Sequence, residues 1–397
     1  MKLFSKELKE NRTVYNILGI KLSFRNKEYY RKLQLEIDKT NKKLEETQKE
    51  MAIQDSWDLT DLKIAKKLIL FLVPSECKVN GGIMSIYSLC EASREINKDS
   101  LCILSNYPND RFTYATNDQF LNNEKIYRFQ QIVENCKNIE ELILHIPEYY
   151  TKYFYNSLTE NDKTFFKSIK KLQINIMNQN IEIMPKLEEI KNLYLLTDNI
   201  TQTIAHNRYA TQEICDKYNM PTHLFSVNID LGKYKSYSFE EKEKIIVLSP
   251  DENENKEKIV NKLKKELPDW QTITVQNLTF SEYMDLISRA YFTITFGEGM
   301  DGYFTQPQYV NSVGLAAYND EFFPNTSWKN LKNVYNSYDE MQDLIVDDIK
   351  HLSNNKELYT QTIIEMLNKN NELYQENKYK DNLKRFYNKE YDFYPQI

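Results

Sequence analysis

Apolar runs of strand length, each followed by a stretch with helical patterning, recur in two series along this chain. That alternation leaves few architectures open. The first series holds KLILFLVP (67–74), LCILSN (101–106), ELILHIP (141–147), LQINIMN (172–178), NLYLLTD (192–198) and THLFSVNI (222–229). Helix-patterned segments such as MSIYSLCEASREI, EYYTKYFYNSL and RYATQEICDKY lie between them. The second series holds KIIVLSP (244–250), WQTITVQN (270–277), YFTITFGEG (291–299) and GLAAYND (314–320), with KEKIVNKLKKELP and FSEYMDLISRA between. Continuous apolar runs suit strands buried on both faces, and strand–helix alternation builds right-handed crossover units on an open, mainly parallel sheet. Two doubly wound α/β domains are expected, joined by the polar stretch DLGKYKSYSFEEKEK (230–244). Length agrees, because 397 residues exceed what one hydrophobic core usually serves.

The expected domains are an N-terminal helical extension over 1–60, a first domain over 61–235, a second over 236–375 and a C-terminal helical tail over 376–397. Within the extension, Leu33, Ile37, Thr40, Leu44, Thr47 and Met51 follow a 3–4 spacing. One helix with a thin apolar seam should form there, packed on its own domain or, over residues 28–53, on a second copy as a homodimer. The basic segment ahead of it, VYNILGIKLSFRNK, admits peripheral contact with a membrane.

Composition excludes several classes. Residues are 41% hydrophobic, enough for a packed core, and no stretch approaches a membrane span. A net charge of −6 argues against a nucleic-acid partner. MKLFSKELKENR lacks an apolar signal core, so a cytoplasmic location is expected, with peripheral contact at the inner face of the membrane admitted. The five cysteines, Cys77, Cys90, Cys102, Cys136 and Cys215, show no CxxC spacing and read as small core residues. The four histidines form no metal-binding pattern, so no metal and no cofactor are expected.

Glycine is the informative residue. About 28 would be usual at this length, and there are 8. Gly81 and Gly82 are adjacent; Gly297, Gly299, Gly302 and Gly314 crowd one short stretch. Both groups fall at the carboxyl end of an expected strand, where ligands of doubly wound sheets bind. In Phe296-Gly297-Glu298-Gly299-Met300-Asp301-Gly302-Tyr303-Phe304-Thr305-Gln306-Pro307, a helix beginning near Pro307 would aim free N–H groups at an anion such as a diphosphate. Glu298 and Asp301 would accept hydrogen bonds from hydroxyl groups. Lys256, near the start of a helix, would add a cation. Val79-Asn80-Gly81-Gly82 leads a helix toward the same cleft, and His145 ends the run ELILH, where it could donate to a bound group. His206, Arg208 and Tyr209 form a further polar cluster; His223 and His351 read as structural.

The double glycine after the first strand, the strand-end histidine and FGEGMDGYFTQPQYVNSVG together resemble retaining nucleotide-sugar glycosyltransferases of the GT-B fold, family 4-like, in the branch serving bacterial capsules and surface polysaccharides. The resemblance covers residues 66 to 330. It implies two Rossmann-like domains facing across a cleft, a nucleoside-diphosphate-sugar donor and a glycan or lipid-linked glycan acceptor. It also implies that Glu298 contacts donor-sugar hydroxyls and that Lys256, Gly81, Gly82 and the 297–303 loop serve the diphosphate. His145 would line the acceptor side or touch the sugar. The family places a second glutamate, for the ribose, where this chain has Gln306, and often an arginine where Asp251, Glu252 and Asn253 stand. An amide is a poorer partner for a ribose diol, which keeps a non-catalytic nucleotide-sugar- or glycan-binding subunit open as an alternative. A nicotinamide-dependent enzyme is disfavoured, since neither glycine group reads GxGxxG.

Overall fold

A computed structural model of the chain describes residues 4–9, 12–17, 20–25, 27–76, 81–117, 124–226, 231, 234–374 and 376–396. Two parallel sheets dominate it. The first orders β10 (Thr222–Leu224), β9 (Ile200–Ile204), β8 (Lys171–Asn178), β7 (Glu141–Pro147), β4 (Lys67–Leu72), β5 (Leu101–Ser105) and β6 (Ile126–Tyr127). The second orders β12 (Gln271–Thr274), β11 (Glu243–Leu248), β13 (Ala290–Ile294), β14 (Val313–Ala317) and β15 (Val334–Tyr335). Every pairing in both is parallel. Two α/β lobes are therefore present, the arrangement of GT-B proteins.

The apolar runs form strands because both faces of each sheet are covered. In β4, Leu68, Leu70 and Leu72 face one core and Ile69 and Phe71 the other. One expected strand fails. NLYLLTD instead forms a 3-10 turn over Lys191–Leu195, and β9 is the next segment, ITQTI. Of that apolar run only Leu193 is buried, whereas Thr201, Gln202 and Thr203 are buried by satisfying their polar groups across the sheet. Asn178 Nδ2 donates to Gln202 Oε1 at 3.0 Å, Gln202 Nε2 to Thr222 Oγ1 at 2.9 Å, and Asn175 Nδ2 to Thr203 Oγ1 at 3.0 Å. A side-chain ladder holds this strand where hydrophobic patterning sees nothing.

The N-terminal segment also departs from expectation. Ahead of helix Lys27–Asp55, residues 4–9, 12–17 and 20–25 form a three-stranded antiparallel sheet: β1 (Phe4–Lys9), β2 (Arg12–Ile17) and β3 (Ile20–Arg25). The helix projects from the first lobe. Leu33, Ile37 and Leu44 of its seam are exposed, and only Gln54 is buried, donating to the Ile126 carbonyl at 2.9 Å. Thr47 and Met51 of the seam are half-buried and Glu50 Oε2 accepts the Ala115 N–H at 2.7 Å, so the helix packs on the first lobe at its C-terminal part and leaves the rest of the seam exposed.

The chain's end crosses back to the first lobe. Helix Glu376–Tyr387 packs on helix Gly81–Ile96, with Tyr387 Oη 2.7 Å from Ser93 Oγ. Asp392 fastens the tail by accepting the Leu224 N–H and an Arg385 guanidinium N–H, both at 2.8 Å, beside His223 Nδ1 at 2.9 Å. Cys90, Cys102, Cys136 and Cys215 are free and buried; Cys77 lies outside the described residues.

Candidate functional site between the lobes

A cavity of about 1800 Å³ separates the carboxyl edges of the two sheets. Gly81 and Gly82 line it from the first lobe, and Gly297 and Gly302 from the second, with Glu298, Met300, Asp301, Tyr303 and Gln306. Val79 and Asn80 lie outside the described residues. Helix Gly81–Ile96 starts at this wall, and its first-turn carbonyl at Gly82 accepts from Gln179 Nε2 at 3.1 Å.

The second-lobe loop is shaped by a carboxylate. Asp301 caps the short helix Gly302–Thr305: its Oδ1 accepts the N–H of Tyr303 at 2.9 Å and of Phe304 at 3.3 Å, and its Oδ2 accepts the Thr295 hydroxyl. The helix therefore starts at Gly302, and its first N–H groups are spent on Asp301. The N–H of Gln306 bonds the Gly302 carbonyl at 3.0 Å and that of Tyr309 the Gln306 carbonyl at 3.1 Å. Of the N–H groups expected to bind an anion near Gln306–Tyr309, those of Gln306 and Tyr309 are thus engaged within the turn. Gly297 leaves room for two acids, since an added Cβ would lie 2.9 Å from Asp251 Oδ2 and 3.2 Å from Asp301 Oδ2. Gly299 has φ +84°, and an added Cβ would meet the Ala317 carbonyl at 2.8 Å; only glycine fits there without strain.

Burial raises the Glu298 carboxyl to about 7, helped by the negative charges of Asp301, Glu182 and Asp251. Near neutral pH this group both donates and accepts, which suits sugar hydroxyls. Burial lifts Asp301 to about 6 against the opposing pull of its Thr295 hydrogen bond.

Two expected site residues lie elsewhere. His145 is fully buried, stacked on Phe71 with ring centres 4.3 Å apart and held by Asn175 Nδ2 at 3.1 Å from Nδ1. Its side chain enters the core between sheet and tail, and burial lowers its pKa to about 3. It does not reach the cavity. Lys256 is likewise withdrawn: its Nζ donates to the carbonyls of Ser249 at 2.7 Å and Asp251 at 2.8 Å, closing the end of β11. Those carbonyls follow directly on the strand and draw the ammonium back over its own loop. His206 does line the cavity, its Nε2 3.1 Å from the Gln179 carbonyl. Arg208 pairs instead with Asp320 of the second lobe at 3.5 Å, and the Tyr209 N–H bonds the His206 carbonyl at 3.0 Å; neither lines the cavity.

Sequence reasoning passed over other lining residues. Glu148, the first residue after β7, is 4% exposed; its Oε1 accepts the Asn180 N–H at 3.1 Å, its Oε2 has no partner, and burial lifts it to about 6. The available signal was its place three residues beyond His145, at a strand's carboxyl end. Tyr107 and Tyr149, the 275–279 loop with Asn277 at φ 55°, and Tyr283 also line the space. Among the described lining residues the acids are Glu76, Asp110, Glu148, Asp251, Glu298 and Asp301, and the cations are Lys43 of helix Lys27–Asp55 and Arg111 of the first lobe.

No protein-family model matches the chain, and no curated protein sequence does. Solved structures do. The N-terminal domain of Candida albicans trehalose-6-phosphate phosphatase aligns at 10% identity and TM-score 0.50, over 83% of this chain and 97% of that one. An alpha-glucosyltransferase in complex with UDP and a 13-mer DNA aligns at 11% identity and TM-score 0.49, over 80% and 95%. Anabaena HepE in complex with UDP and glucose aligns at 8% identity and TM-score 0.49, over 81% and 98%. At these identities the likeness is one of fold, and the 0.50 alignment extends over both lobes.

Proposed function

We propose that this chain is a glycosyltransferase that binds a nucleoside-diphosphate sugar in the inter-lobe cavity and transfers the sugar to a glycan or lipid-linked glycan of the bacterial surface. The observation that carries the reading is the single cavity onto which both glycine groups open from opposite lobes. Glu298 holds donor-sugar hydroxyls. Gln306 stands near the ribose, and the start of helix Gly81–Ile96 approaches the diphosphate, its N–H groups favouring the negative charge that builds on the leaving group. Transfer proceeds with retention and without a metal. Lys256 has no part in leaving-group stabilisation, since two carbonyls hold its ammonium; Arg111 of the opposite wall takes that role. Lobe closure then excludes water.

Calorimetry with UDP, GDP and dTDP, followed by turnover of the matching sugars, tests the reading. Saturable nucleotide binding that Glu298→Ala weakens for the sugar nucleotide supports it; absence of binding to all three overturns it. A second reading, a non-catalytic nucleotide-sugar-binding subunit, draws on Gln306 and on the lack of a second-lobe cation among the described lining residues. Tight binding with no turnover across donors and acceptors would favour that subunit.

A further inference from the structure

The first-lobe wall of the cavity holds an acid to which the donor gives no task. Glu148 begins helix Glu148–Ser157 and lines the cavity, yet it is 4% exposed. Its Oε1 accepts the Asn180 N–H at 3.1 Å, and its Oε2 is buried without a partner. The carboxyl is thus fixed in place with one oxygen still able to accept, a state that a ligand hydroxyl would relieve. Asn180 follows Gln179, whose Nε2 donates to the Gly82 carbonyl at 3.1 Å. Glu148 is therefore tied to the same helix start that approaches the diphosphate.

The next residue offers a ring. Tyr149 lines the cavity with its side chain 39% exposed, while its hydroxyl meets that of Tyr107. Tyr107 is buried and clamped in turn, stacked on Tyr150 with ring centres 3.7 Å apart. An exposed ring on a rigid mount loses little freedom when a ligand covers it. Room for a second ligand exists, because the cavity of about 1800 Å³ exceeds the roughly 300–1,000 Å³ that serves a single small molecule. A fixed ring beside a buried carboxyl matches the two sides of a pyranose, which has an apolar C–H face and a rim of hydroxyls.

We propose that Glu148 and Tyr149 form a subsite for an uncharged pyranose, which lays its C–H face on the Tyr149 ring and donates a hydroxyl hydrogen bond to Glu148 Oε2. Only the naming of this sugar as part of the acceptor rests on the glycosyltransferase reading. Charge sets its class. Glu76 and Asp110 line the cavity with Glu148, and after burial the negative charges of these three acids help to raise the Tyr149 hydroxyl to about 12. A uronate, sulfate or phosphate laid on that ring would face like charges and be rejected. Arg111, the cation that follows Asp110, is taken by the diphosphate in this reading.

An array of neutral oligosaccharides and their uronate-, sialate- and sulfate-bearing counterparts, probed with the full chain in excess UDP, tests the subsite. Neutral glycans should be retained at least about tenfold better than acidic ones. Glu148→Gln keeps an oxygen for the Asn180 N–H and should weaken that retention at least about tenfold, as for a lost hydrogen bond to a charged group. Tyr149→Ala should weaken it as well, whereas Tyr149→Phe, which keeps the ring, should bind as wild type. UDP affinity should be unmoved in all three variants. No retained glycan, a preference for acidic glycans, or wild-type retention by Tyr149→Ala overturns the proposal, and these outcomes stand even if Glu148→Gln fails to fold. Wild-type retention by a folded Glu148→Gln overturns it too. Neutral-glycan retention that needs Glu148, found without any UDP binding, would instead overturn the donor reading and leave the subsite standing.

Discussion

The carboxylate of Asp301 accepts the backbone N–H of Tyr303 at 2.9 Å. That bond decides where the glycine-rich loop ends and what its helix offers a ligand. A helix whose first N–H groups are satisfied by its own acid does not present them to a phosphate. Asp301→Ala should therefore cost about 1 kcal/mol from the lost cap. A lowered unfolding midpoint in urea, with an unchanged slope, checks it. Unchanged stability would mean that Thr295 and the loop hold the turn unaided.

Glu298 carries a cost in stability alongside its place at the cavity. Its folded pKa, about 7, lies above the ordinary 4.5, so the folded state takes up the proton more readily than the unfolded chain. Its stabilising contribution is full below about pH 4.5 and is lost as pH rises through about 7. Glu298→Gln removes the charge and should raise the melting temperature above wild type at pH 8, with the two curves converging near pH 5. The same variant should weaken sugar-nucleotide binding more than UDP binding. Parallel curves at both pH values would count against a buried, elevated carboxyl.

How far the sequence led depended on which physical force fixed each element. Strands such as β4 and β7 were legible because parallel strands covered on both faces must be apolar throughout. β9 was not, because Thr201, Gln202 and Thr203 are buried through hydrogen bonds to polar side chains of the neighbouring strands β8 and β10. β3 was legible in principle, since Ile20-Lys21-Leu22-Ser23-Phe24-Arg25 alternates apolar and polar, whereas β1 and β2 break that alternation and are held by their pairing. The cavity walls were legible through glycine, because a chain with 8 glycines spends few on chance. The choice between His145 and Glu148 was not. His145 has a covered face of β7 on which to pack, whereas Glu148 has passed the strand's end and opens on the cavity.

His145 should behave as a core residue. Replacing it with alanine removes the stack on Phe71 and leaves Asn175 and Tyr387 short of a partner. A loss of about 3 kcal/mol is expected for a cavity of that size in a packed interior. Nucleotide affinity, measured below the new melting temperature, should be unchanged. A variant of native stability with weakened binding would return His145 to the site.

Asp392 sets a limit at the acid end. Hydrogen bonds from His223, the Leu224 N–H and Arg385 outweigh the effect of burial and hold its carboxyl at about 2, below the ordinary 3.8. A depressed folded pKa gives stability that is present above about pH 4 and lost as pH falls toward 2. Asp392→Asn should therefore lower the melting temperature at pH 7, and the difference from wild type should shrink between pH 4 and 2. Because this residue fastens the C-terminal segment to the edge strand β10, the variant should also speed amide exchange at Leu224, where the lost acceptor leaves an N–H unpaired. Exchange at Leu224 as slow as in wild type would show that the Phe393–Thr222 backbone pair holds the tail by itself.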